Sequence, residues 1–488
     1  MSNKNSYKEI LILGVVTLVS CLGYLLFCYQ ISGIGFPLDD AWIHQTFARN
    51  FGENFQWSFQ LGQPSGGSTG PLWGLVLSVL YILKIPPLWG TYFIGFLTLW
   101  GTSIAGFSLG KRLLPGNKFG GLGAGILIAL EWHLVWSALS GMETLLLSLI
   151  SLVLFSWLLD HKDNWWIVGA LIGVSIWIRP DGLTLIGPAG LGLLLRSYSK
   201  KDTFKKATEI LSTLVVFCGF YFLFNWIVAG DIWPNTFYAK QAEYASLKDV
   251  NLLYRYFNIG LQVITGVGVL LLPGMVLEIN KLIRTRKWIK SGLFLWAFGY
   301  IGLYAWRLPV TYQHGRYIMP AMPVLFILGF VGLVDFIDLR SNLLRQRIIS
   351  GVWASATIVI IGVFWAYGGR AFALDVGVIN SEMVQTAYWV KDNTPQGAII
   401  GAHDIGALGY FANRQIIDLA GLISPTVIPF IRDESKLSDY LSLKNTDYLV
   451  IFPSWYPVLS ENLNIIYQSD GEIPQLFGMD NMTVYSLK

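Results

Sequence analysis

The chain has 488 residues, 54% hydrophobic and only 13% charged, with a net charge of +4 and a mean hydropathy of +0.53. Soluble domains carry about 25% charged residues, so the composition excludes a soluble globular protein and indicates a polytopic membrane protein. The weak positive balance gives no reason to expect a nucleic-acid partner, and 20 Trp and 23 Tyr suit aromatic belts at two membrane interfaces.

The first apolar segment, near 9–30, is long enough to cross a bilayer and lacks a small-residue cleavage site after it, so it reads as a retained signal anchor. Asp39 and Asp40 stand at its mouth, followed by AWIHQTFARN and the glycine-rich QPSGGSTGPLW. Further spanning segments are expected near 88–110, 119–139, 143–160, 164–178, 183–196, 208–229, 256–279, 291–306, 317–336 and 348–367, about eleven in all. The apolar stretch Leu72–Leu83 is too short to cross and reads as an amphipathic or re-entrant helix. Loop charges support this. With 72–83 left in the interface, 19 of the 34 Lys and Arg collect on one side and 8 on the other before residue 370. Basic loops are cytoplasmic. The N-terminus is therefore expected inside and Asp39-Asp40, SGME, IRPDG, WPNTFYAK and YQHGRY outside. Cys21, Cys28 and Cys218 lie within apolar segments and read as small buried hydrophobes.

After about residue 370 the composition turns soluble. A helical stretch at Ser381–Lys391, short strands at Ala398–Ala402, Gln415–Leu419, Tyr448–Phe452, Asn464–Tyr467 and Met482–Ser486, and a helix near Lys436–Leu443 predict a small mixed α/β domain. The expected division is 1–370 for a catalytic membrane module, with a first outer loop at 31–87, and 371–488 for an extracytoplasmic α/β domain.

Adjacent carboxylates repel, so one of Asp39 and Asp40 is expected to hold a raised pKa while the other stays ionised and takes a proton from a sugar hydroxyl. A pair that only caps the helix end is the plainer reading. His44 either binds substrate hydroxyls or is a satisfied core histidine; Arg49 either meets a phosphate or anchors to headgroups. In YQHGRY, Arg316 at an outward helix start suits a phosphate, against simple snorkelling. His314 lies beside it. Lys240 is a second phosphate candidate, and Asn235 and Tyr238 are sugar contacts or belt residues. Glu143 and Asp181 stand at helix entries, where capping competes with acceptor binding. GGLGAG at 120–125 lies in an apolar helix and reads as close helix packing, not a nucleotide loop. His403 and Asp404 in HDIGALGYF read as a packing turn in preference to an acceptor groove.

LDDAWIHQTFARNFGENFQW, QPSGGSTGPLW, SGMET, RPDG, PNTFYAK, GRYIMPAMP and HDIGALGYFANRQIIDLAGLISP, in that order, resemble landmarks of the GT-C superfamily of polyprenyl-phosphate-sugar-dependent glycosyltransferases. The nearest resemblance is to the mycobacterial terminal arabinofuranosyltransferases, and it runs from about residue 36 to 425. It implies a multi-pass α-helical GT-C module in the plasma membrane, with an outer α/β domain. The implied reaction moves a sugar, such as arabinofuranose, from a polyprenyl-phosphate donor to a glycan, lipid or protein acceptor with inversion, in cell-wall glycan biosynthesis. The loop carboxylate of the family maps to Asp39 with Asp40 beside it, and the phosphate contacts to Arg316 and Lys240. Trp42 and His44 stand where the family usually carries Tyr or Ser. Some relatives use a divalent cation; this sequence shows no metal-spaced set and points to metal-independent chemistry with no cofactor. A flippase of lipid-linked sugar and a non-catalytic glycan-binding protein are the competing classes.

Overall fold

The structure, a computed structural model, describes residues 3–160, 163–338 and 344–488. Lys162 and Arg340, two of the basic residues assigned to the inner side, lie outside the described residues, as do the side chains of Lys4 and Arg345.

Each of the eleven expected segments falls on helix. Among the described residues, five helices are long and apolar enough to cross a membrane, or up to seven if two bent pairs each form one span. The pairs are Gly120–Leu130 with Trp132–Leu139, bent by 55°, and Leu252–Ile264 with Val267–Thr285, bent by 110°. Thr144–Leu159 and Trp165–Ile178 are apolar but shorter. The GGLGAG stretch opens the Gly120–Leu130 helix. There a Cβ added at the facing Gly110 would meet Ala124 Cβ at 2.7 Å and Gly120 O at 2.9 Å, so glycine lets two backbones touch. Pro71–Ile82 is a 12-residue helix, about 18 Å long at 1.5 Å per residue, too short to span. Its Trp73, Leu77, Leu80 and Tyr81 form a small core with Ala48 of the helix Asp39–Asn54.

That 16-residue helix opens the first loop. Two carboxylates in its first turn favour the positive end of its dipole, and Phe55 in the left-handed conformation ends it. A short antiparallel pair, β1 (Ser58–Gln60) and β2 (Gln63–Pro64), follows.

The C-terminal sheet has five strands: β3 (Ile399–Ala402), β4 (Gln415–Asp418), β5 (Tyr448–Ile451), β6 (Asn464–Gln468) and β7 (Thr483–Ser486), ordered β4-β3-β5-β7-β6. The first three are parallel; β7 runs antiparallel between β5 and β6. All five coincide with the strands expected from sequence. Side chains alternate across the sheet. Ile400, Ala402, Val450 and Val484 join the same core as the membrane helices, while Leu449, Ile451 and Tyr485 form a second core with Leu437 and Leu441 of the helix Glu434–Leu443.

No linker marks residue 370. The helix Leu344–Val378 runs through a π turn at Ile379–Val384 into Gln385–Asn393. The π turn holds Glu382, fully buried, whose carboxylate accepts from Met482 N at 2.8 Å and from the Ser469 hydroxyl. The last long helix is thereby fastened to the sheet.

Candidate active site

Asp39 and Asp40 begin the same helix but face different neighbours. Asp39 is turned toward the C-terminal domain: its carboxylate accepts from Gly406 N at 2.6 Å and Ala407 N at 2.8 Å. A Cβ at Gly406 would lie 2.0 Å from Asp39 O, so only glycine permits this approach. Burial, then the carboxylate of Asp404, push the Asp39 pKa up to about 8 against the pull of the two amides. The expected split of the doublet is present, but Asp40 contributes least to it, after burial and Asp404.

Asp40 faces open space. Arg316 Nη2 donates to its Oδ2 at 2.6 Å and to the Tyr317 hydroxyl at 3.0 Å. Burial alone would raise the Asp40 pKa; Lys240 and then Arg316 hold it well below the usual carboxylate range. Arg316 is 5% exposed, and its buried Nη1 has no hydrogen-bond partner among the described residues. It is aimed by a turn in which Gln313, His314 and Gly315 take φ of +56°, +55° and +67°. Two consecutive non-glycine residues in the left-handed region store roughly 1–2 kcal/mol each. Lys240 is raised well above its ordinary value: burial opposes the charge, but Asp40 leads the groups that favour it. Lys240 sits on the helix Asn235–Glu243.

Two cavities meet at Asp40, Lys240 and Arg316. One runs toward the helical module between Glu143, Arg179, Asp181, Tyr304 and Arg307. The other, about 850 Å³, opens between the module and the C-terminal domain and is walled by Glu243, His403, Asp404, Trp455, Tyr456 and Phe477 among others. Glu243 is held at about 2, burial being overcome chiefly by Lys240. His403 is raised: burial opposes its charge, and Glu243, 3.5 Å away, favours it most. Asp404 is raised by burial, and its Oδ2 has no hydrogen-bond partner. His403 and Asp404 thus stand in a cavity wall as well as in a packing turn.

The remaining candidates sort by what their polar atoms touch. Glu143 does not cap with its side chain; it pairs with Arg179 at 2.8 Å and lies 3.2 Å from His44 Nε2. It lines the first cavity, while His44, 3% exposed, stands behind it and outside both cavities. His314 is turned away as well: its Nε2 bonds Asp375 at 2.8 Å, which also accepts from Trp136 Nε1. Asn235 donates to Leu422 O at 3.1 Å, and Tyr238 to Asp231 at 2.7 Å; neither lines the cavities. Arg49 donates to Tyr410 O and Gly409 O and lies over the Tyr410 ring, tying the loop helix to the C-terminal domain. Trp42 packs among Phe36, Tyr410 and Phe411.

Sequence reasoning missed Arg179, Tyr304 and Glu243. Arg179 donates to Glu143, Asp181 and Tyr304, making a buried ion cluster in the first cavity wall. An arginine caught between an apolar helix and Pro180 was its signal; Glu243 lies three residues beyond Lys240 on one helix face. Among the described residues, no group of three His, Cys, Asp or Glu is arranged to hold a metal ion. Asp40 is already faced by two protein cations, an unsuitable donor set for a hard divalent ion.

The architecture is the GT-C fold, shared with solved structures of low sequence identity. The chain superposes on ArnT from Cupriavidus metallidurans bound to undecaprenyl phosphate with a TM-score of 0.59 at 14% identity, covering 97% of both chains. An Archaeoglobus fulgidus oligosaccharyltransferase, AglB, in complex with an inhibitory peptide and a dolichol-phosphate gives 0.57 at 12%, over 95% of this chain and 73% of that one. The mycobacterial arabinofuranosyltransferase AftD gives 0.53 at 15%, over 96% of this chain and 41% of that one. Residues 376–485 match a family model described as "Domain of unknown function (DUF8728)". No curated protein matches the sequence.

Proposed function

We propose that this protein is a membrane glycosyltransferase that moves a sugar from a polyprenyl-phosphate donor to an acceptor on the outer face of the membrane. The observation that carries the reading is the meeting of two cavities at one ionised carboxylate flanked by two cations. The fold is shared with proteins whose structures hold undecaprenyl phosphate and dolichol-phosphate, which supports a lipid-phosphate donor here.

In this reading the donor phosphate engages the unpartnered Nη1 of Arg316 and the ammonium of Lys240. Asp40 serves as the general base, replacing Asp39, whose two oxygens are already committed to backbone amides. An acceptor hydroxyl in the larger cavity attacks the anomeric carbon as its proton passes to Asp40. The bond from that carbon to the phosphate oxygen breaks, and its electron pair leaves with the polyprenyl phosphate. A single displacement inverts the centre. The leaving charge falls beside Arg316 and Lys240, where fixed cations stabilise it most.

A carboxylate held low by two cations is a poor base. Phosphate binding corrects this by sharing those cations, so the Asp40 pKa rises when the donor is loaded. Donor occupancy thus activates the base. The C-terminal domain, 371–488, supplies the far wall of the acceptor cavity. AftD among the structural neighbours makes a polyprenyl-phosphate pentofuranose, such as arabinofuranose, the first donor to try.

Polyprenyl-phosphate binding to the purified protein tests the phosphate assignment. Arg316→Gln and Lys240→Gln are each expected to weaken it about tenfold or more; unchanged binding by both would remove the donor site from this position.

A further inference from the structure

A second set of cations lies at the other end of the helical module. The helix Trp288–Arg307 has 20 residues, about 30 Å, and connects the two ends. Leu303, Tyr304 and Arg307 near its C-terminus line the first cavity beside Asp40. At its N-terminus, Lys287 and Lys290 line two further cavities, about 400 and 490 Å³.

Cations outnumber acids here. Asp335, in the wall of the smaller cavity, is paired with Lys281, Glu278 lies 3.8 Å from Lys281, Asp160 is paired with Arg112, and Asp163 acts on Arg196 only at a distance. Lys287, Lys290 and Arg286 make no ion pair among the described residues. Arg196, in the wall of the larger cavity with both lysines, has buried Nε and Nη1 atoms without a hydrogen-bond partner among the described residues. Like charges gathered around a cavity repel, and buried guanidinium donors left unbonded are costly. Apart from Arg286 and the paired Arg112, the rest of the larger cavity's wall is apolar, formed by Leu159, Leu195, Trp288 and Ile289, and Leu195 and Trp288 are exposed, as residues facing lipid would be.

We propose that Lys287, Lys290 and Arg196 form a binding site for the phosphate of an anionic membrane lipid, with its glycerol and upper chain against Leu195 and Trp288. The site is distinct from the Asp40 centre and does not depend on the glycosyl-transfer reading. Basic clusters at the cytoplasmic ends of spanning helices hold anionic headgroups in this way.

The test uses the full chain, delipidated in detergent and examined by native mass spectrometry with phosphatidylglycerol or phosphatidylcholine added back. The protein is expected to retain phosphatidylglycerol in preference to phosphatidylcholine. Lys287→Gln with Lys290→Gln should weaken that retention about 30-fold, roughly fivefold for each lysine. Arg196→Gln, read separately in case the double variant does not fold, should weaken it about fivefold. Inorganic phosphate at the lipid's concentration is expected to leave the lipid bound. Equal retention of the two lipids, variants that bind like the wild type, or displacement by inorganic phosphate would each overturn the proposal.

Discussion

Replacing Asp40 by Asn separates two effects that the wild-type carboxylate combines. On the proposed role the base is lost, which costs roughly 10²–10⁴ in rate. Arg316 and Lys240 are at the same time released from their anionic neighbour. Polyprenyl-phosphate binding to Asp40→Asn should therefore be tighter than to the wild type, while turnover collapses; equilibrium binding and initial rates measured on one preparation check both. Asp39→Asn behaves differently. An amide nitrogen cannot accept from the backbone, so one of Gly406 N and Ala407 N loses its partner, at about 1–3 kcal/mol. The sign of its pH effect follows from the raised pKa. The folded state binds this proton more tightly than the unfolded chain, so its contribution falls as pH rises from the ordinary 3.8 through about 8. Thermal unfolding followed between about pH 6 and 8 should fall less steeply with pH for Asp39→Asn than for the wild type.

At the scale of elements, the first loop and the C-terminal domain are held together by side chains that reach across to backbone. The Gln60 amide donates to Ile416 O and accepts from Ile416 N on β4, an edge strand of the sheet, and so covers that edge as another strand would. Arg49 binds two carbonyls of the turn after β3. Gly406→Ala should break this contact more severely than loss of any one bond, since its methyl group would fall on backbone of Asp39. Lower yield of folded protein and faster proteolysis between 394 and 488 would show it. These elements were legible in the sequence where a period or a composition reported them: the strands from β3 to β7, the short helix 71–82 that cannot span, the glycine-lined helix contact. Their mutual contacts were not. Asp39 and Gly406 are 367 residues apart, and nothing local to either position signals the other. For the same reason Asp39 and Asp40 could not be told apart from sequence: both line the larger cavity, and they differ in what holds their oxygens, backbone amides for Asp39 and Arg316 for Asp40.

For the whole molecule, the helical module and the sheet domain make one site between them. The main core runs from the membrane helices into one face of the sheet, and the last long helix enters the domain without a break. The buried cluster of Arg179 with Glu143 and Asp181 was not readable from lysine and arginine counts, because charge counting treats every arginine as a surface group. The central claim is that Asp40, and not Asp39, takes the acceptor proton. Its most direct test is the initial rate of sugar transfer in proteoliposomes supplied with a polyprenyl-phosphate sugar, for the wild type, Asp39→Asn and Asp40→Asn, each at saturating donor. Asp40→Asn should lose at least about 10²-fold in kcat while Asp39→Asn keeps most of its rate per folded molecule. Transfer by Asp40→Asn at the wild-type rate would contradict the account.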